Sequence, residues 1–251
     1  MSPVRSGHAE PGARVRFGER TVLAFLALAL VAVPFALLVV LITDKVAALQ
    51  HLDQDTANGL HGYATRHPLF IHAMKAISAV GSPTGWWLIL TPVFVWLIVR
   101  RLFRLALFLA VTAIGSSLLN TVVKTAVDRA RPHLVDPVAV AAGKSFPSGH
   151  AQAATVGCGI LVLIFLPVLA RPVRPWLFVA AALVVALIGF SRIALGVHYL
   201  SDVIGGIVLG AAWLLAMTAA FSPWRRAERK PAVQPDTGLE PEHRERLIPG
   251  D

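Results

Sequence analysis

The chain has 251 residues, of which 56% are hydrophobic and only 15% are charged. Soluble domains carry about 25% charged residues, so the composition excludes an ordinary soluble protein. The formal net charge of +9 raises the question of a nucleic-acid partner, which the positions of the charges answer below. Cys158 is the single cysteine, which excludes an intramolecular disulfide and a cysteine-based metal site.

Uncharged runs long enough to cross a bilayer recur along the chain and predict an all-α, polytopic membrane protein. Residues 1–20 are polar and basic, and we expect a disordered tail. Between the first two spans, residues 44–83 predict two short amphipathic helices at the membrane surface, with a break at His67-Pro68. Residues 222–251 are charged and predict a second disordered tail. The six spans of the expected bundle, within a domain of residues 21–221, lie at about 21–42, 85–101, 104–123, 148–170, 175–191 and 202–221.

The distribution of positive charge predicts the orientation of these spans. If the amino terminus is cytoplasmic, most of the 23 lysines and arginines lie on the cytoplasmic side, and both short loops on that side are basic. The positive-inside rule therefore places both termini in the cytoplasm. The membrane accounts for the net charge, and we expect no nucleic-acid partner. The sequence makes no prediction of oligomeric state.

Three polar stretches lie on the side opposite these basic loops. One of them, residues 191–202, indicates phosphoryl transfer. His198 and Asp202 are four residues apart, so on a helix they share one face, and the carboxylate accepts the imidazole Nδ1–H. The Nε2 atom is then left electron-rich. Arg192 adds a permanent cation whose planar fork matches phosphate oxygens.

Two further polar stretches fall on the same side and supply the remaining chemistry. Lys124 and Arg131 add two cations, and three fixed cations stabilise a transferring phosphoryl group without a metal ion. Ser148 is a good N-cap, and Gly149 allows backbone to approach an anion closely. His150 is then placed to protonate a leaving group. The carboxylates on this side are not spaced as a metal cage, so we predict no metal and no cofactor.

These stretches resemble the three motifs of the type 2 phosphatidic acid phosphatase family, also called lipid phosphate phosphatases. The resemblance covers residues 44–221, and the matching motifs are Lys124-x6-Arg131-Pro132, Pro147-Ser148-Gly149-His150 and Ser191-Arg192-x5-His198-x3-Asp202. It implies that His198 attacks phosphorus and forms a phosphohistidine, that Asp202 orients it, and that His150 protonates the leaving group and then activates water. It also implies that the phosphate is bound by Lys124, Arg131, Arg192, Ser148 and Gly149. The family shares this site with vanadium-dependent haloperoxidases, which are soluble.

We therefore expect an integral membrane phosphatase with its site on the extracytoplasmic side. Its substrate is a lipid phosphate or pyrophosphate, and polyprenyl pyrophosphate is preferred over phosphatidic acid and phosphatidylglycerophosphate by analogy with compact bacterial members. A non-catalytic lipid-binding or transport protein of the same fold and a lipid phosphotransferase are the alternatives. Asp128, Arg129 and His133 lie beside the first motif, where they either tune headgroup binding or only solvate a loop.

Overall fold

The computed structural model describes residues 29–135, 137–227, 238–240 and 243–247. These residues form helices joined by short turns and one longer loop between α5 and α6. The predicted tail of residues 1–20 lies outside them. The helices are α1 Ala29–Thr43, α2 Ala47–Ala64, α3 Pro68–Val80, α4 Pro83–Val99, α5 Phe103–Val127, α6 Gly149–Phe165, α7 Arg174–Ala194, α8 Leu200–Ala227 and α9 Arg244–Leu247.

The all-α membrane class predicted from the sequence is confirmed. Among the described residues, four stretches are long and apolar enough to cross a bilayer alone, and up to six if each of two bent helix pairs counts as one span. The bent pairs are α1 with α2, at 89°, and α3 with α4, at 44°. The helices α4 to α8 fall on the last five predicted spans. The first predicted span begins among residues 21–28, outside the described part.

The two short helices predicted for residues 44–83 are present as α2 and α3, and the chain breaks between them before Pro68 as expected. Both helices pack against α7, and α2 also contacts α8. Their buried faces carry polar side chains, namely Asp53 on α2 and Ser78 on α3. They are therefore built into the bundle by these faces, which the sequence did not predict.

The centre of the bundle is α6, which packs against α4, α5, α7 and α8. Within its membrane-length window 56% of the residues are buried, against 28% to 33% in the other three single spans. Contact with α8 is close because Gly206 and Gly210 face α6 one turn apart, the small-residue spacing that lets membrane helices approach. Large apolar side chains such as Leu88, Leu118 and Leu183 remain exposed on the outer faces, as a lipid-facing surface requires.

The prediction of a disordered tail from residue 222 does not hold for all of that segment. α8 continues to Ala227, and the Leu239 N–H donates to the Leu163 carbonyl oxygen at 3.1 Å. Leu239 and Leu247 are buried in the main apolar cluster. The charged residues hid these two apolar anchors. The remaining tail residues, 228–237, 241–242 and 248–251, lie outside the described residues.

We predict that Gly206→Ala destabilises the protein by about 1–3 kcal/mol, because overpacking forces backbone to move. An added Cβ would lie 2.5 Å from the carbonyl oxygen of Ser148. In contrast, Gly59 in α2 has nothing within 4 Å of an added Cβ, so Gly59→Ala should stabilise by about 0.5–1 kcal/mol. Thermal unfolding of the detergent-solubilised variants measures both changes. A Gly206→Ala variant as stable as the original chain would contradict this packing.

Candidate active site

The three motif segments meet at one end of the helix bundle. The Ser148 N–H, at the start of α6, donates to the Asp202 carbonyl oxygen in the first turn of α8 at 2.9 Å. Arg131, in the loop after α5, lies with its Nη1 atom 3.2 Å from Nε2 of His198. His150 lies near enough to Arg192, His198 and Arg131 for their charges to act on its ring. The structure thus brings together residues that are far apart in sequence.

His198 lies in the turn between α7 and α8 and is only 2% exposed. Its Nδ1 atom is 3.4 Å from Oδ2 of Asp202, within ion-pair range but longer than an ordinary hydrogen bond. Burial lowers the pKa of His198 to about 4, and the positive charges of Arg131 and Lys124 act in the same direction, whereas Asp202 opposes them. The ring is therefore neutral at physiological pH, as a nucleophile must be.

Asp202 is fully buried and both of its carboxylate oxygens are occupied. Oδ1 accepts a hydrogen bond from Nη1 of Arg129 at 2.7 Å. Oδ2 accepts one from the Tyr199 N–H at 2.9 Å and another from the Ser145 hydroxyl, and it is also the oxygen that faces His198. A carboxylate held by several donors keeps a fixed orientation and stays charged despite burial.

Backbone carbonyl oxygens hold two of the three predicted phosphate-binding cations. Lys124 lies in the last turn of α5, which extends past the predicted span, and its Nζ donates to the Lys144 carbonyl oxygen at 2.9 Å. Arg131 donates from Nε to the Gly143 carbonyl oxygen at 3.0 Å and from Nη1 to that of Val197 at 2.6 Å. Neutral carbonyl groups fix these side chains without cancelling their charge.

Arg192, the third cation, is 8% exposed and donates from Nη1 to the hydroxyl of Ser78 on α3. Its Nε atom has no hydrogen-bond partner among the described residues. A buried donor without a partner costs about 1–3 kcal/mol.

These three cations differ from Arg129 in whether they form ion pairs with carboxylates. In the part of the chain that the structure describes, Lys124, Arg131 and Arg192 form no ion pair with a carboxylate, whereas Arg129 pairs with both Asp53 and Asp202 at 2.7 Å. The charge of Arg129 is therefore compensated. The other three charges remain available to an external anion.

The start of α6 confirms one feature expected of residues 148–150, the N-cap at Ser148. Ser148 is the N-cap, and its hydroxyl accepts from the Ala151 N–H at 3.5 Å. Gly149 is the first helical residue, and the side-chain oxygen of Asn120 would lie 3.3 Å from a Cβ added there. The positive end of the helix dipole thus points toward the cations and favours a bound anion.

Sequence reasoning missed four side chains that hold the site together: Asp53, Ser78, Arg129 and Ser145. The alternatives left open for Arg129, headgroup contact or loop solvation, are both wrong, because its guanidinium binds two buried carboxylates and stacks 4.4 Å from the ring centre of Tyr199. A charged residue on the apolar face of α2 was the available signal. By contrast, His133 is exposed, and Asp128 is exposed and pairs with Lys144.

A cavity of about 240 Å³ opens between α4, α5 and α6 beside this site. It runs from Gly149 and Asn120, one turn before Lys124, to Leu90 and Gly157 deeper in the bundle. Gly157 is eight residues further along α6 than Gly149, which corresponds to about 12 Å along the helix axis. The cavity thus runs from the start of α6, next to the site, to the apolar interior of the bundle.

Comparison with known proteins identifies relatives of this chain. Residues 102–226 match the family model described as the PAP2 superfamily. The chain is 35% identical over 96 residues to phosphatidylglycerophosphatase B of Bacillus subtilis, covering 37% of this chain and 46% of the relative. It is 35% identical over 121 residues to lipid A 1-phosphatase of Rhizobium etli, covering 45% and 48%. It is 28% identical over 140 residues to undecaprenyl-diphosphatase of Sulfolobus acidocaldarius, covering 53% and 64%.

The first two of these matches therefore span about half the length of the curated relatives. The fold is similar to the crystal structure of the first transmembrane PAP2 type phosphatidylglycerolphosphate phosphatase from Bacillus subtilis. That match has a TM-score of 0.67 and 25% identity, and it covers 77% of this chain and 95% of that chain. The likeness therefore extends beyond the motif segments to most of the helix bundle.

We predict that the His198 ring titrates with a pKa of about 4. Replacing the neighbouring cation in Arg131→Gln should raise this pKa, because less positive charge then opposes protonation. Arg101→Gln, a replacement in the distant α4–α5 turn, should leave it unchanged. Histidine-ring NMR, assigned with His198→Gln, measures the three values. A pKa near 6.5 in the original chain, or no rise in Arg131→Gln, would contradict the electrostatics described here.

Proposed function

Because residues 102–226 of this chain form a PAP2 superfamily domain, we propose that the protein is a membrane phosphatase acting on a lipid phosphate or pyrophosphate. One observation carries the proposal. Lys124 and Arg131 of the first motif lie near the neutral imidazole of His198, Arg192 of the third motif lies near His150, and none of the three pairs with a carboxylate among the described residues. Such an arrangement suits a multiply charged anion next to a nucleophile.

In the first step, Nε2 of His198 forms a bond to phosphorus and the bond from phosphorus to the leaving oxygen breaks. The bound phosphate offsets the charges of the nearby arginines, which lets the His150 ring hold a proton, and His150 gives that proton to the leaving oxygen. The phosphorylated ring carries a positive charge, which Asp202 offsets across the 3.4 Å contact with Nδ1. Contacts of this kind are often long in ligand-free structures and shorten when the substrate binds.

In the second step, water attacks phosphorus and the bond to Nε2 breaks. His150, now deprotonated, accepts the proton of the water molecule, so both histidines return to their starting states. Lys124, Arg131 and Arg192 hold the equatorial oxygens throughout, because phosphoryl transfer depends mainly on positioning and charge stabilisation. Because three cations can offset the charge of the phosphate, we predict that the activity needs no metal ion.

The cavity between α4, α5 and α6 supports lateral access by a lipid. Polar side chains of Asn120 and Gln152 line it near Gly149, and Leu90 and Val156 line it deeper in the bundle. This polarity follows that of a lipid, whose phosphate lies at the membrane surface and whose tail lies in the core. We infer that the tail enters here while the phosphate reaches His198.

The names of the relatives indicate which lipids are candidate substrates. The three relatives are named for phosphatidylglycerophosphate, lipid A and undecaprenyl diphosphate, which share a phosphate at the end of a membrane lipid. The name of the Sulfolobus acidocaldarius relative supports polyprenyl pyrophosphate as the substrate. The name of the Bacillus subtilis relative supports phosphatidylglycerophosphate. Phosphate release from a panel of purified lipids, in excess chelator, ranks these substrates and tests metal independence.

We predict that His198→Ala lowers phosphate release by about 10³-fold or more, because the nucleophile is lost. Binding of the lipid phosphate should persist, since the three cations remain. His133→Ala, a replacement in the exposed loop, should keep full activity. A His198→Ala variant with normal turnover would contradict the phosphatase proposal.

Two further outcomes concern the original chain. Transfer of phosphate to an added alcohol instead of water would identify a phosphotransferase. Loss of phosphate release on addition of chelator would contradict metal independence.

We further propose that the site lies on the extracytoplasmic side, on the basis of the basic short loops at the opposite end. Val140, 88% exposed in the loop after α5, and Val173, 46% exposed between α6 and α7, report the two ends. In a Cys158→Ala background, an impermeant maleimide applied to intact cells should label Val140→Cys and spare Val173→Cys. The reverse pattern would overturn the orientation.

A further inference from the structure

Asp53 is a charged residue that no motif includes, yet it is only 1% exposed. It projects from α2, the helix whose role the sequence left open. Its Oδ1 accepts the Ser201 N–H at 2.9 Å, and its Oδ2 accepts the Ser201 hydroxyl at 2.5 Å and Nη2 of Arg129 at 2.7 Å. A buried carboxylate needs such partners, because an unpaired one would be strongly destabilising.

The contact with Ser201 places Asp53 at the start of α8. Ser201 is the second residue of that helix, and its backbone N–H has no partner within the helix. Asp53 therefore caps α8 from a different helix. Asp202 is the next residue in this capped turn, and its side chain faces His198. A shift of the cap would therefore move the Asp202 carboxylate.

The contact with Arg129 reaches the same carboxylate by a second route. One guanidinium group binds Asp53 through Nη2 and Asp202 through Nη1, each at 2.7 Å. Nη1 also donates to the Ser201 hydroxyl at 2.7 Å. The planar fork of Arg fixes the relative position of two carboxylates in a way that a flexible ammonium group would not.

We propose that Asp53 is a positioning residue of the phosphatase site: through Arg129 and Ser201 it holds Asp202 against His198. This inference rests on the proposed function. It makes α2 part of the catalytic apparatus, although α2 contributes no group that touches the substrate. Loss of Asp53 leaves Arg129 with Asp202 as its one carboxylate partner and removes the cap from the Ser201 N–H, so Arg129 and Asp202 can shift together away from His198.

The test compares Asp53→Asn with Asp55→Asn, an exposed carboxylate two residues away on the same helix. Misplacement by about 1 Å can cost about 100-fold in rate, so Asp53→Asn should lower kcat by about 10- to 100-fold. KM and inhibition by inorganic phosphate should not change, because the three phosphate-binding cations are untouched. Asp55→Asn should behave as the original chain.

A second comparison separates positioning from simple structural support. If Asp53 acts through Arg129, the double variant Asp53→Asn with Arg129→Met should be no slower than Arg129→Met alone. Should Asp53→Asn fail to fold, Ser201→Ala removes one donor to Asp53 and keeps both charges. It should give a smaller fall in kcat at constant KM.

Three results would overturn the inference: an unchanged kcat, a fall in kcat matched by weaker phosphate inhibition, or a double variant much slower than Arg129→Met. These results differ from failure of the proposed function. An original chain that releases phosphate from none of the lipids contradicts the phosphatase proposal and this inference with it. An active original chain with an unaffected Asp53→Asn contradicts the inference alone.

Discussion

Uncompensated positive charge around a neutral imidazole is the constraint on which the rest of this structure depends. Lys124, Arg131 and Arg192 repel one another, and the described residues supply no carboxylate that pairs with them. Backbone carbonyl oxygens and the Ser78 hydroxyl hold them in place instead. These neutral groups keep the cations ordered and leave their attraction for an anion intact. Burial keeps His198 unprotonated, and the charges of Arg131 and Lys124 act in the same direction.

Packing between the helices holds these cations together at one end of the membrane bundle. α6 and α8 approach closely through Gly206 and Gly210, which brings the Ser148 cap against the first turn of α8. Polar links continue into the bundle, where Asn120 donates to Gln152 at 2.6 Å and Gln152 donates to the Ser116 carbonyl oxygen at 2.9 Å. Hydrogen bonds of this kind join α5 to α6 where apolar packing against lipid gives little direction.

Much of this arrangement was predictable from the sequence, for identifiable reasons. Long uncharged runs predict spans because every backbone polar group must be paired inside a bilayer. The helical spacing expected for His198 and Asp202 is wrong, because His198 lies in the turn before α8, although the two side chains still lie 3.4 Å apart. The pairs that join distant elements were not predictable. Neither Asp53 with Arg129 nor Ser78 with Arg192 follows a local period, since each depends on how α2 and α3 pack on α7 and α8. Leu239 and Leu247 were not predicted to be buried, because single apolar residues within a charged segment give no recognisable pattern.

A direct measurement of the covalent intermediate tests the central claim. The protein would be mixed with a lipid whose terminal phosphate carries a radioactive label, quenched in alkali within one turnover, and digested for peptide mapping. We predict that the label is found on His198, because its ring is neutral and its Nε2 lies 3.2 Å from Nη1 of Arg131. Label on any other residue, or phosphate release with no labelled protein at any time, would contradict the account.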